Sequence, residues 1–159
     1  MTTDKPKFVY VTYISTTPDK VFAALMDGEM TKQYWGLHKN VSDWKPGSEW
    51  SHQDYETGDV HVTGKVLGID APRRLVLTWK SPKAEETSRV TFQIDPFMDS
   101  VKLTVTHEDI VVDSPMWKGI SMGWPAVLSG LKTLIETGKP LPMMTRRWGG
   151  PPPEKSETA

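Results

Sequence analysis

Residues 113–138 read DSPMWKGISMGWPAVLSGLKTLIETG, and this stretch decides the fold. Ile120, Trp124, Val127, Leu128, Leu131, Leu134 and Ile135 recur at helical spacing as one apolar stripe. Ser121, Ser129, Lys132, Thr133 and Glu136 fall largely on the other side. Ser114 and Pro115 predict the helix start, with a bend around Gly123-Trp124-Pro125, where proline removes a backbone donor. The alternative is a helix that begins only at Pro125. Gly138 occupies the C-terminal cap position, with Pro140 just beyond. Such a helix is not stable alone in water, so its stripe must lie against the face of a sheet.

Upstream, the chain supplies that sheet. FVYVTYI, residues 8–14, is β-branched and aromatic throughout and predicts a first strand. Thr17-Pro18-Asp19 reads as N-cap, proline at the first helical position and a carboxylate in the first turn. The helix that follows places Val21, Phe22, Leu25 and Met26 on one face and ends near Asp27-Gly28. A second short helix runs from about Glu29 to Trp35 and stops at Gly36.

From Val41 to Glu108 the texture changes to strands and turns, with Gly64 and Gly68 marking bends or bulges in a long strand. Alternation assigns the faces of the last three strands. Leu75, Leu77 and Trp79, then Val90, Phe92 and Ile94, then Val101, Leu103, Val105 and His107 point one way, and the residues between them point the other. One strand, two helices, six strands and a long helix, joined by hairpins, make an α+β chain with an antiparallel sheet.

Composition sets the outer limits. A chain of 159 residues is one domain by size; near that length a domain buries roughly 70% of its unfolded surface and needs no metal or disulfide to hold it. The absence of cysteine excludes a thiol nucleophile, a disulfide framework and a Cys-ligated zinc. The N-terminus has no apolar h-region, and no apolar run approaches the ~20 residues of a membrane span. A net charge of −1 gives no electrostatic reason to expect nucleic acid or an anionic membrane as partner. A cytoplasmic protein is the expectation. Seven tryptophans and eight methionines favour a large, irregular apolar interior. A domain over residues 1–138 is expected, with 139–159 an extended and disordered tail rich in proline, glycine and charge.

Several phrases carry a family resemblance: TTPDKVFAALMDGEMTKQYW (16–35), KPGSEW (45–50), GKVLGIDAPRRLVLTW (64–79) and GWPAVLSGLKTLIETG (123–138). In order and spacing they resemble the START-like superfamily (SRPBCC, the birch-pollen-allergen fold), and within it the branch of homologues of the activator of heat-shock-protein-90 ATPase. The resemblance implies a helix-grip fold, a curved antiparallel sheet wrapped around the long C-terminal helix with two short helices closing one end. It also implies a sheet–helix cavity, where related proteins bind lipids, sterols, polyketides or other apolar molecules. The namesake co-chaperones usually carry an additional N-terminal domain that this sequence does not show, so stimulation of a chaperone ATPase is not expected.

The aromatic set is the strongest chemical signal. Trp35, Trp44, Trp50, Trp79, Phe92, Trp117, Met122 and Trp124 come from elements that the helix-grip order brings around one space. They are read as pocket lining or as solid core, with Trp79, Phe92 and Trp124 pointing between sheet and helix. His52 and His107 face inward as polar anchors or general bases, or are simply satisfied core histidines, and Tyr55 is a further polar candidate. No HExxH and no i,i+4 histidine pair occurs, and the GxSxG of Gly119 to Gly123 falls on a helix face around Ser121, without the strand-to-helix turn a nucleophile needs, so neither a metal, a cofactor nor a serine nucleophile is expected.

Reversible binding of a small hydrophobic or aromatic molecule is therefore the leading expectation, with no catalytic residue assigned. A cavity enzyme of cyclase, dehydratase or hydrolase type would draw its acid–base pair from His52, Asp54, Glu56, Asp59 and His107. A protein-interaction or co-chaperone-like module would use Arg146-Arg147-Trp148 and Pro151-Pro152-Pro153 in the tail.

Overall fold

The computed structural model describes residues 6–146. Strand β1 (Phe8–Ile14) leads into helices α1 (Pro18–Met26) and α2 (Gly28–Tyr34). Six strands follow: β2 (His38–Ser42), β3 (Glu49–Asp54), β4 (Val60–Asp70), β5 (Arg74–Trp79), β6 (Ser88–Phe97) and β7 (Ser100–Glu108). The long helix α3 (Pro115–Thr137) and a 3-10 turn (Pro142–Thr145) complete the fold. The strands form one curved antiparallel sheet in the order β1-β7-β6-β5-β4-β3-β2, so the chain runs as a meander and its first strand closes beside its last. This is the helix-grip architecture.

Strict alternation builds the grip. Every residue assigned inward on β5, β6 and β7 is buried, and the residues between them are half-buried or exposed. Helix α3 lays Ile120, Trp124, Val127, Leu128, Leu131 and Leu134 on that face, with Ile135 half-buried at the margin. Its start follows the sequence: the Ser114 hydroxyl accepts the Trp117 N–H at 3.1 Å, and Pro115 opens the first turn. The helix continues through Pro125, which overturns the alternative of a start at that residue. At its far end, Gly138 takes φ 78° and donates its N–H to Leu134 at 2.8 Å. Lys132 ties α3 to β1 by donating to the Tyr13 carbonyl at 2.6 Å, and Glu136 accepts the Ser15 N–H at 2.8 Å.

Two glycines in β4 act differently. At Gly68 the pairing with β5 shifts register, a bulge. Gly64 instead permits a close approach, pairing opposite Trp50, whose indole N–H donates past it to the Thr78 carbonyl at 2.8 Å.

The folded unit does not stop at Gly138. Residues 139–146, expected as an extended arm, include the 3-10 turn, whose Met144 is fully buried beside Gly130 of α3 and Tyr34 of α2. The boundary expected at residue 138 thus falls inside packed structure. Of the tail motifs, Arg147, Trp148 and Pro151 to Pro153 lie outside the described residues.

Candidate functional site

A cavity of about 300 Å³ lies between the sheet and the first half of α3. Trp35 reaches it from the end of α2, Trp79 from β5 and Trp124 from α3. The three indoles touch one another: Trp124 lies 5.4 Å, centroid to centroid, from both Trp35 and Trp79, and Trp35 lies 6.4 Å from Trp79. Met116, Ile120 and Val127 on α3 and Val62 on β4 complete the apolar wall.

The polar edge of the cavity is a cluster of three histidines. His38 and His52 stack at 4.7 Å with ring planes 9° apart, and Nε2 of His38 is 2.7 Å from Nδ1 of His61. The hydrogen bonds decide where the protons sit. Nδ1 of His38 lies 2.8 Å from the Gly36 carbonyl, which only accepts, so His38 is protonated at Nδ1. Burial holds its pKa below the ordinary imidazole value, with His61 pressing the same way against opposing pulls from Gly36 and Asp54, so at neutral pH its Nε2 carries a lone pair. That lone pair accepts the Nδ1–H of His61.

His52 resolves in the same manner. The Asn40 amide donates through Nδ2 to the Leu25 carbonyl at 3.0 Å, which turns Oδ1 toward Nδ1 of His52 at 2.7 Å. His52 therefore donates from Nδ1 and keeps its lone pair on Nε2. Burial, aided by His38 and His61, holds its pKa well below the usual range, so the ring is neutral. Nε2 makes no hydrogen bond to a protein group, yet no buried side-chain nitrogen or oxygen among the described residues lacks a partner. It follows that this atom is open to the cavity that His52 lines. The same reasoning leaves the indole N–H groups of Trp35 and Trp79 open, since neither has a protein acceptor.

Behind the wall runs a second, closed network. Trp124 donates from Nε1 to Nδ1 of His107 at 3.1 Å; His107 Nε2–H then donates to the Ser88 hydroxyl at 2.8 Å, and Ser88 donates to the Trp79 carbonyl at 3.2 Å. Burial alone pushes the His107 pKa down to about 3. With both ring nitrogens engaged, His107 supports two tryptophans of the wall and presents nothing to the cavity.

The family described as "Activator of Hsp90 ATPase homolog 1-like protein" matches residues 15–136. The chain belongs to that family. No curated protein matches it by sequence. Among solved structures, an HSP90 activator from Plasmodium falciparum superposes with a TM-score of 0.68 at 20% identity, over 84% of this chain and 97% of that one. The Aha1 dimer from Colwellia psychrerythraea gives 0.71 at 18%, over 84% and 98%. CalU16 from Micromonospora echinospora gives 0.69 at 21%, over 87% and 78%. At these identities the likeness is one of fold. No described helix of this Hsp90-activator-homologue-like domain is long and apolar enough to cross a membrane.

The structure sorts the sequence-derived residues into three groups. Trp35, His52, Trp79 and Trp124 stand on the cavity wall. Trp50, Phe92 and His107 are buried one layer behind, Trp50 against Trp79 at 5.6 Å and Phe92 against Trp124 at 5.7 Å. Trp44, Trp117 and Met122 do not line the cavity: Trp44 is half-buried against the core, Trp117 meets Phe8 edge-on at 6.4 Å, and Met122 is 71% exposed. Met122 fails because it is two residues from Trp124, which on a helix is nearly the opposite side. Tyr55 is also elsewhere, donating to Glu29 at 3.0 Å beneath the Lys32 ammonium. Asp54, weighed as a member of an acid–base pair, is buried and accepts the backbone N–H groups of Glu56 and Thr57. His38, Asn40 and His61 are the residues that the sequence reading passed over; the signal available was polar alternation across 38, 40 and 42.

Proposed function

We propose that this domain binds a small apolar or aromatic molecule reversibly in the sheet–helix cavity, without turning it over. The observation that carries this reading is the wall of three mutually packed indoles around about 300 Å³ of space. That volume stands at the small end of the ~300–1,000 Å³ typical of ligand sites, and broad aromatic faces with few polar groups are their usual lining. The test is a titration with fatty acids, sterols, flavonoids and aromatic polyketides, following tryptophan emission and melting temperature. At ~100 times the dissociation constant, binding adds about 2.7 kcal/mol of stability, which a thermal shift resolves. No shift with any class would sink the reading and favour a protein-interaction module.

One feature supports a second reading. Nε2 of His52 is an unprotonated base open to the cavity, the placement a general base requires. Conversion of a bound compound that is lost in His52→Ala would make the domain an enzyme.

A further inference from the structure

The cavity's polar edge specifies more than an apolar occupant. We infer that the ligand is an uncharged aromatic compound bearing a hydroxyl group, which donates its proton to Nε2 of His52 while its ring lies against Trp35, Trp79 and Trp124. The inference rests on the cavity-binding reading above and narrows it to a chemical class.

Three observations lead there. First, among the described residues no Lys, Arg, Asp or Glu side chain lines the cavity. An ionised carboxylate or amine entering it would lose its hydration and meet no opposite charge, a penalty that apolar contact does not recover. Fatty acids and protonated amines are thereby disfavoured.

Second, His52 does not substitute for a cation. Gly36 and Asn40 each hold a ring at Nδ1, and His61 occupies the remaining nitrogen of His38. What reaches the cavity from His52 is a lone pair on Nε2, so the site asks its occupant for a donor. The indole N–H groups of Trp35 and Trp79 ask for an acceptor in turn. A hydroxyl answers both, since its oxygen accepts while its proton is given away.

Third, His52 is buried whereas His61 is exposed. Water competes freely for His61 and poorly for His52. The hydrogen bond to His52 therefore discriminates between ligands, and an occupant lacking a donor there leaves a desolvated nitrogen unpaired.

Three naphthalene probes of nearly equal shape separate the possibilities: 2-naphthol, 2-methoxynaphthalene and 2-naphthoate, titrated calorimetrically into the full chain at neutral pH. The expected result is that naphthol binds roughly three- to ten-fold more tightly than its methyl ether, with naphthoate weakest. In His52→Phe the preference for naphthol over the ether should disappear. If that variant does not fold, the probe pair on the unaltered protein still decides. Equal affinity for naphthol and ether overturns the hydroxyl assignment and leaves the cavity reading standing. Naphthoate binding as well as naphthol overturns the uncharged class. If none of the three binds, the aromatic hydroxyl assignment is overturned, and the panel of apolar classes above decides the cavity reading separately.

Discussion

Nε1 of Trp124 lies 3.1 Å from Nδ1 of His107, a hydrogen bond that joins the middle of α3 to the end of β7. Because an indole only donates, this bond sets the tautomer of His107 and, through it, the direction of the Ser88 link to Trp79. One contact thus orients two walls of the cavity.

Trp124→Phe keeps a ring in place but leaves Nδ1 of His107 buried without a donor. We expect a loss of about 1–3 kcal/mol in urea unfolding. Adding His107→Leu should recover part of that loss, because removing both partners spares the unpaired nitrogen. Strictly additive losses would show that the bond contributes nothing.

Stability should fall on mild acidification. The folded-state pKa of His107 is depressed to about 3, whereas an unfolded histidine titrates near 6.5. Between these values the unfolded chain takes up the proton first, so the stability present above about pH 6.5 is lost as pH falls toward 3, by up to about 1.4 kcal/mol per pH unit. His52, also depressed, adds in the same direction. Urea midpoints at about pH 7 and about pH 4.5 measure the slope, which His107→Leu should flatten.

At Gly64 a methyl group would run into the Thr78 carbonyl oxygen and come within 2.7 Å of the Trp50 indole nitrogen. Gly64→Ala should therefore destabilise by about 1–3 kcal/mol, lowering the melting temperature. Gly119 on α3 has nothing within 4 Å of such a methyl. Gly119→Ala should raise stability by roughly 0.5–1 kcal/mol, so a drop of equal size in both variants would refute the argument from space.

Met144→Ala should cost about 2–5 kcal/mol, as for other fully buried apolar side chains. Ending the chain after Gly138 should cost at least as much, while ending it after Arg146 should retain that contribution. A chain ending at Gly138 with unchanged melting temperature would contradict the packing seen here.

Much of the frame was legible before the structure. The cap at Ser114 and Pro115, the stripe on α3 and the inward alternation of Leu75 to Trp79 rest on local rules that tertiary contacts did not override. The histidine cluster was not legible, for two reasons. Strand β2 reads HKNVS, whose polar residues carry little strand signal, so its start was placed at Val41 rather than His38. His61 sits beside the register shift between His52 and Gln53, where pairing cannot be counted forward along the strand. Met122 was misplaced for the converse reason, since residue type suggested a pocket whereas helical angle turned it away; Trp117 shares the face of Trp124, two turns earlier, but packs edge-on against Phe8 of β1 instead.

The seat of Met144 has a mechanical meaning. After Gly138 the chain is pinned again at the seam between α2 and α3, away from the tip of the long helix. A pull applied at Arg146 is therefore borne first by the Met144 side chain lodged beside Tyr34 and Gly130, and only after that latch slips does tension reach Gly138 and the turns of α3. The helix that carries Trp124 is in this way shielded from tension applied beyond the 3-10 turn.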